Sequence, residues 1–156
     1  MLFTKHSSLL ALSLALISAP AIAQSAHFGE FTLASSANKI AAAVTGRTDG
    51  SYDLSIIAKT DTAGNPCIGY GSVNPDHVMI LEQDLAKLKL QVDSKGKDTT
   101  LVVRGPDNII RCDFGSNETP DAAIEDLNWP SGKYQIWVGC IEPEQNWDYR
   151  LSVEAI

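Results

Sequence analysis

The dominant period along the chain is two. Leu88, Leu90 and Val92 alternate with Lys87, Lys89 and Gln91, as in a strand with one wet face. Tyr134, Ile136 and Val138 alternate with Gln135, Trp137 and Gly139. Tyr149, Leu151 and Val153 alternate with Asp148, Arg150, Ser152 and Glu154. Shorter β-rich runs occupy 28–33, 52–58, 77–81, 99–104 and 108–112. Between them lie punctuators such as Thr48-Asp49-Gly50, Gly64-Asn65-Pro66, Asn74-Pro75-Asp76, Ser94-Lys95-Gly96, Gly105-Pro106-Asp107 and Pro130-Ser131-Gly132. Strands this short, joined by turns and not by helices, predict an all-β antiparallel sandwich or barrel. Two runs read weakly as helix. One is the Ala-rich 34–44, of which 40–45 reads equally as a strand. The other is 120–127, where Thr119 would cap a single turn.

The first residues carry a different pattern. Lys5 precedes a mostly apolar run at 9–18, and Ala21-Ile22-Ala23 follows, which together predict a signal peptide over residues 1–23 with a cleaved start at Gln24. The apolar run is shorter than the ~18 residues that a spanning helix needs. No later segment is long and apolar enough to cross a bilayer, so the expectation is an exported protein, periplasmic or secreted. Residues 24–156 are then read as a single β domain.

Composition narrows the function classes. The chain has 156 residues, with nineteen Asp and Glu against twelve Lys and Arg, for a net charge of −7. That balance excludes a protein that lives on nucleic-acid phosphates. An apolar fraction of 44% excludes a disordered chain. Cys67, Cys112 and Cys140 make an odd count in a compartment where disulfides persist, so at most one internal bridge forms. None of the spacings is C-x-x-C, which argues against zinc and redox chemistry; three pairings remain open.

Catalytic motifs are sparse. No G-x-S-x-G elbow exists, and Ser72 and Ser131 lack that frame. His27 opens the mature chain, and His77 follows a turn, where it reads as a solvated polar residue. A small hydrolase using His77 is therefore the least favoured reading. No phosphate-binding glycine loop is present. Asp113, Asp121, Glu125 and Asp126 lie in a short loop-like stretch, and Asp98 closes the turn before Thr99. These acids read first as solvating groups. Asp98, Asp113 and Asp121 are the candidate calcium ligands, since calcium takes carboxylate and carbonyl oxygens from such loops. Trp129, Trp137 and Trp147 are the candidate ligand-binding surface. By alternation Tyr134 and Tyr149 face the core while Trp137 faces away from it. Trp129 and Trp147 fall in loops, where rings offer flat area to sugars or a partner protein.

From Cys67 onward short motifs follow one another in a distinctive order. Cys67-Ile68-Gly69-Tyr70 is followed by Asn74-Pro75-Asp76-His77 and an alternating strand ending Val92-Asp93-Ser94. Then come Asp98-Thr99-Thr100-Leu101-Val102-Val103, Gly105-Pro106-Asp107 and Arg111-Cys112-Asp113. Gly132-Lys133-Tyr134-Gln135-Ile136-Trp137-Val138-Gly139 and Tyr149-Arg150-Leu151-Ser152-Val153 close the series. In this order the motifs resemble the bacterial pre-peptidase C-terminal domain, over about 67–155. It implies a jelly-roll-like β-sandwich of about eight strands and a non-catalytic role: aiding secretion, keeping a protease soluble, or binding a polymer such as collagen or chitin. An envelope protein with one protein partner is the alternative. Relatives commonly carry Asp-Asp in the acidic loop, sometimes tied to calcium, where this chain has Asp113-Phe114. The resemblance also implies a Cys67–Cys112 disulfide with Cys140 unpaired.

Overall fold

The computed structural model describes residues 25–33 and 40–156. The signal-peptide reading at 1–23 and the helical reading of 34–39 lie outside the described residues. Eleven strands among the described residues form two sheets packed as a sandwich. The first sheet contains β1 (Glu30–Leu33), β3 (Tyr52–Asp53), β4 (Tyr70–Gly71), β5 (His77–Leu81), β7 (Thr99–Arg104), β8 (Ile110–Phe114) and β10 (Gly132–Cys140). The second contains β2 (Ala41–Arg47), β6 (Leu85–Asp93), β9 (Ala123–Trp129) and β11 (Asp148–Ala155), in the order β2-β11-β6-β9.

β10 is the spine of the first sheet. One edge pairs with β7, from Gln135↔Arg104 to Cys140↔Thr99. The opposite edge pairs with β5 along Gly132–Ile136 and then with β4 at Cys140↔Tyr70. β8 continues the sheet beyond β7, β3 beyond β4, and β1 beyond β5 in the one parallel pairing among the described strands. Alternation puts Tyr134, Ile136 and Val138 on the inner face, against Leu88, Leu90, Val92, Leu151 and Val153 of the second sheet.

Two local readings change, and the choice left open at 40–45 falls to strand. The run at 52–58 is a strand only at Tyr52–Asp53; a single 3-10 turn follows at Leu54–Ile56, where the Asp53 carboxylate caps the Ser55 N–H at 2.9 Å. Ala41–Arg47 is strand and not helix, because β11 lies ready to pair with it. The run at 120–127 is no helical turn either: Ala123–Trp129 pairs with β6. These changes, with the two-residue β4, account for eleven strands where about eight are expected.

Candidate functional site

β8 leaves the first sheet at Phe114, and Gly115 turns the chain into a loop that returns at Pro120. A side chain at Gly115 would collide with the Pro120 carbonyl, so only glycine permits this closure. Within the loop Ser116 N donates to Thr119 O (2.8 Å), and the two hydroxyls share a 3.0 Å hydrogen bond. Thr99 N ties the loop to β7 by donating to Pro120 O at 3.1 Å. Asp121 accepts from Ser94 N (2.8 Å), from the Ser94 hydroxyl and from Gly96 N (3.2 Å), which anchors the loop to the turn after β6. These bonds preform a hollow of about 570 Å³ lined by Gln91, Asp113, Phe114, Ser116, Thr119 and Asp121. Phe114 is its apolar wall, 39% exposed. Asp113 lies half-buried beside it. Burial pushes its carboxyl above the ordinary range, and the Ala123 N–H, 2.7 Å from Oδ2, opposes that rise together with the Phe114 N–H.

The structure thus brings together two of the three candidate calcium ligands, Asp113 and Asp121. Asp98 is exposed in its turn and does not line the hollow. Among the described residues no three His, Cys, Asp or Glu side chains gather as a metal-holding group. Asp121 accepts from Ser94 and Gly96, and Asp113 accepts from Ala123. Glu125 and Asp126 sit on strand β9 and not in a loop.

The tryptophans correct the expected contact surface. Trp129 and Trp137 are buried and Trp147 is half-buried. Trp129 ends β9 with its Nε1 donating to Asp126 O at 3.0 Å. The Arg111 guanidinium lies 3.9 Å over its ring, and Tyr134 stands 5.3 Å away. Arg111 itself comes from β8. Its Nε donates to Asp126 Oδ2 (2.7 Å) and its Nη2 to the carbonyls of Leu127 (3.2 Å) and Asn128 (2.9 Å), clasping the two sheets along one side. Trp137 faces away from the main core, as alternation requires, but that face is covered by the segment after β3. Trp147 sits under Lys97, whose ammonium is 5.8 Å from the ring centre.

A second hollow, about 780 Å³, opens where the N-terminal segment crosses the β2–β11 corner. Phe28, Gly46, Arg47, Lys95, Asp148 and Tyr149 are among its lining. His27 N and Phe28 N donate to the carbonyls of Pro75 (2.8 Å) and Asp76 (2.7 Å), pinning this wall. A side chain at Gly46 would strike the Tyr149 ring, so glycine lets Tyr149 pass beneath β2. Sequence reasoning assigned neither Phe28 nor Phe114 a role; the signal available was a large apolar side chain next to turn residues.

Beneath Phe28 lies a buried polar cluster. His77 is fully buried, not solvated, and its Nε2 shares a 2.8 Å hydrogen bond with the Tyr149 hydroxyl. Phe28, Phe31 and Tyr149 surround the imidazole, and burial lowers its pKa to about 4. The same burial, with the nearby Asp76 charge, raises the Tyr149 phenol. Asp76 is buried too, with Oδ2 accepting from Val138 N at 2.7 Å. Desolvation raises its carboxyl to about 7, and Asp49 adds to that rise. Cys140 is a free, buried thiol whose pKa burial also pushes up. Cys67 and Cys112 form the disulfide, as the family resemblance implies.

No family model matches the chain, and no curated protein matches it. Among solved structures the chain is similar to the pre-peptidase C-terminal domain of a collagenase from Bacillus anthracis, whose crystal structure was determined at 1.0 Å. The two are 15% identical, with a TM-score of 0.43 over 80% of this chain and 92% of that one. No helix among the described residues is long and apolar enough to cross a membrane.

Proposed function

We propose that the chain is an exported, non-catalytic accessory module that binds a polymer, glycan or protein, through the Phe114 hollow. The observation that carries this reading is the exposed Phe114 ring set beside Gln91, Asp113, Ser116 and Thr119 on a loop already closed by its own hydrogen bonds. A flat apolar wall flanked by fixed hydrogen-bonding groups suits a sugar ring or an extended backbone, and little ordering is lost on binding. Export is supported by the N-terminal charge and apolar pattern together with the Cys67–Cys112 disulfide. The non-catalytic role is supported by His77, which is sealed under Phe28 and kept neutral by burial, out of reach of an external substrate.

Retention on insoluble polysaccharides and fibrous proteins tests the reading. The wild-type protein is expected to be retained, and Phe114→Ala to bind at least about tenfold more weakly at unchanged melting temperature. Equal retention of the two proteins removes the hollow as the contact surface. Absence of retention on every polymer favours the second reading, an envelope protein with a protein partner, for which the Phe28 hollow beside the β2 edge is the supporting feature.

A further inference from the structure

The edges of the two sheets are treated unequally. At β9, one edge of the second sheet, the Ala123 N–H is taken by Asp113, and the Leu127 and Asn128 carbonyls by Arg111. At β8, one edge of the first sheet, Thr62 bonds to both the N–H and the carbonyl of Ile110. Charged side chains at 125 and 126 further guard β9. β2, the other edge of the second sheet, has no such cover among the described residues. Ala155 N donates to Ile40 O and Thr48 N to Trp147 O, so the even-numbered residues of β2 turn their backbone groups toward β11. The odd-numbered ones, Ala41, Ala43, Thr45 and Arg47, therefore aim N–H and C=O outward. No backbone or side chain among the described residues bonds to them. Neither proline nor lysine interrupts the strand, and its first three residues are alanines.

We propose that this edge pairs with a second copy of the chain, β2 against β2 in antiparallel register about a two-fold axis. Full overlap of the strands puts Val44 opposite Val44 of the second copy on the axis, Ala43 opposite Thr45, and Ala41 opposite Arg47. The outward-aimed residues then form the hydrogen-bonded pairs, and Val44 the close non-bonded pair. Charge favours this register. On the exposed face Ala41 lies beside Glu154 and Arg47 beside Asp148, to which Arg47 Nε donates at 2.9 Å. Arg47 thus extends over the small Ala41 of the second copy toward that copy's Glu154, with Asp148 behind it. In the next row Arg150 and Thr45 meet Ala43 and Ser152, so no like charges oppose. The four-stranded sheet becomes one continuous sheet through both copies, and the partner's Ile40–Ala42 end covers the hollow beside Phe28.

Sedimentation of the wild-type chain is expected to show a dimer that dissociates on dilution. Ala43→Pro removes one outward N–H without touching the β2–β11 ladder, so it leaves the fold intact and weakens dimerisation at least about tenfold. Should that variant fail to fold, the charge pair carries the test. Arg47→Glu weakens the dimer, and Arg47→Glu combined with Glu154→Arg restores it. A wild-type protein that stays monomeric at about millimolar concentration, or an Ala43→Pro dimer as tight as wild type, overturns the proposal. A charge swap without effect overturns the register.

Discussion

The two faces of the first sheet solve the same problem with unequal means. Inward, Leu101, Val103, Tyr134, Ile136 and Val138 are covered by a whole second sheet, in one cluster running from Leu33 to Val153. Outward, Val102, Ile110, Cys112 and Trp137 pack, among the described residues, against Leu54 and Cys67, with Tyr52, Ile57 and Ala58 at the margin. That cover is not a sheet. It is a looped segment held by one disulfide, by the Leu54 N to Gly69 O bond at 2.9 Å and by Arg104, whose guanidinium lies 5.6 Å over Trp137 while Nη2 reaches Ile57 O at 3.3 Å. A strand in a sandwich ordinarily leaves one face to water. Here β7 and β10 also bury Val102 and Trp137 on the outer face, so a covalent link does on one side what packed strands do on the other.

Substitution of Tyr134 gives the largest effect. It is fully buried between the sheets, its hydroxyl donates to Pro130 O at 2.6 Å, and burial holds its phenol up at about 12. Tyr134→Ala is expected to destabilise the whole protein by about 4 kcal/mol or more, measured by urea unfolding. A smaller, local effect is expected outside. Cys67→Ser with Cys112→Ser opens a loop of 45 residues and costs about 3–4 kcal/mol by the chain-entropy account. Amide exchange should then rise over 54–69 while β6 and β11 stay protected. Equal loss of protection in both regions would erase the distinction between the two layers.

The smallest effect lies at the rim of the main core. Asp76, raised to about 7, keeps a proton in the native state between about pH 4 and 7 that the unfolded chain has lost. Its contribution to stability therefore falls as pH rises through that window. His77, lowered to about 4, lacks a proton between about pH 4 and 6.5 that the unfolded chain carries, so its contribution rises with pH there. The two contributions accordingly oppose each other over about pH 4 to 6.5. Asp76→Asn should unmask the rise with pH and His77→Gln the fall, in denaturant titrations across that range. Parallel profiles for the two variants would contradict the opposed burial of the two groups.

How far the sequence was legible follows the same divide. Period-two alternation placed β6, β10 and β11, and the runs at His77–Leu81 and Thr99–Arg104 coincide with β5 and β7. Alternation also put Trp137 on the face opposite Tyr134, which is correct. It could not say that this face is dry, because what covers it comes from residues 54–67, far away in the chain. β9 was hidden for the converse reason. Its middle, Glu125 to Asn128, is exposed, and only pairing with β6 makes it a strand. His77 was readable: it is in phase with Met79 and Leu81, which point into the core, and the preceding turn outweighed that signal. Of the candidate site, Asp113 and Asp121 do share a hollow, while the wall that gives it character is Phe114.

The order of strands in the second sheet carries one more consequence. β11 is central there, between β2 and β6, yet Arg47 and its partner Asp148 are 101 residues apart. A chain emerging N-terminus first therefore presents β2 and β6 with a vacant lane between them until β11 arrives. Assembly is deferred instead of proceeding strand by strand, which makes for slow, all-at-once closure.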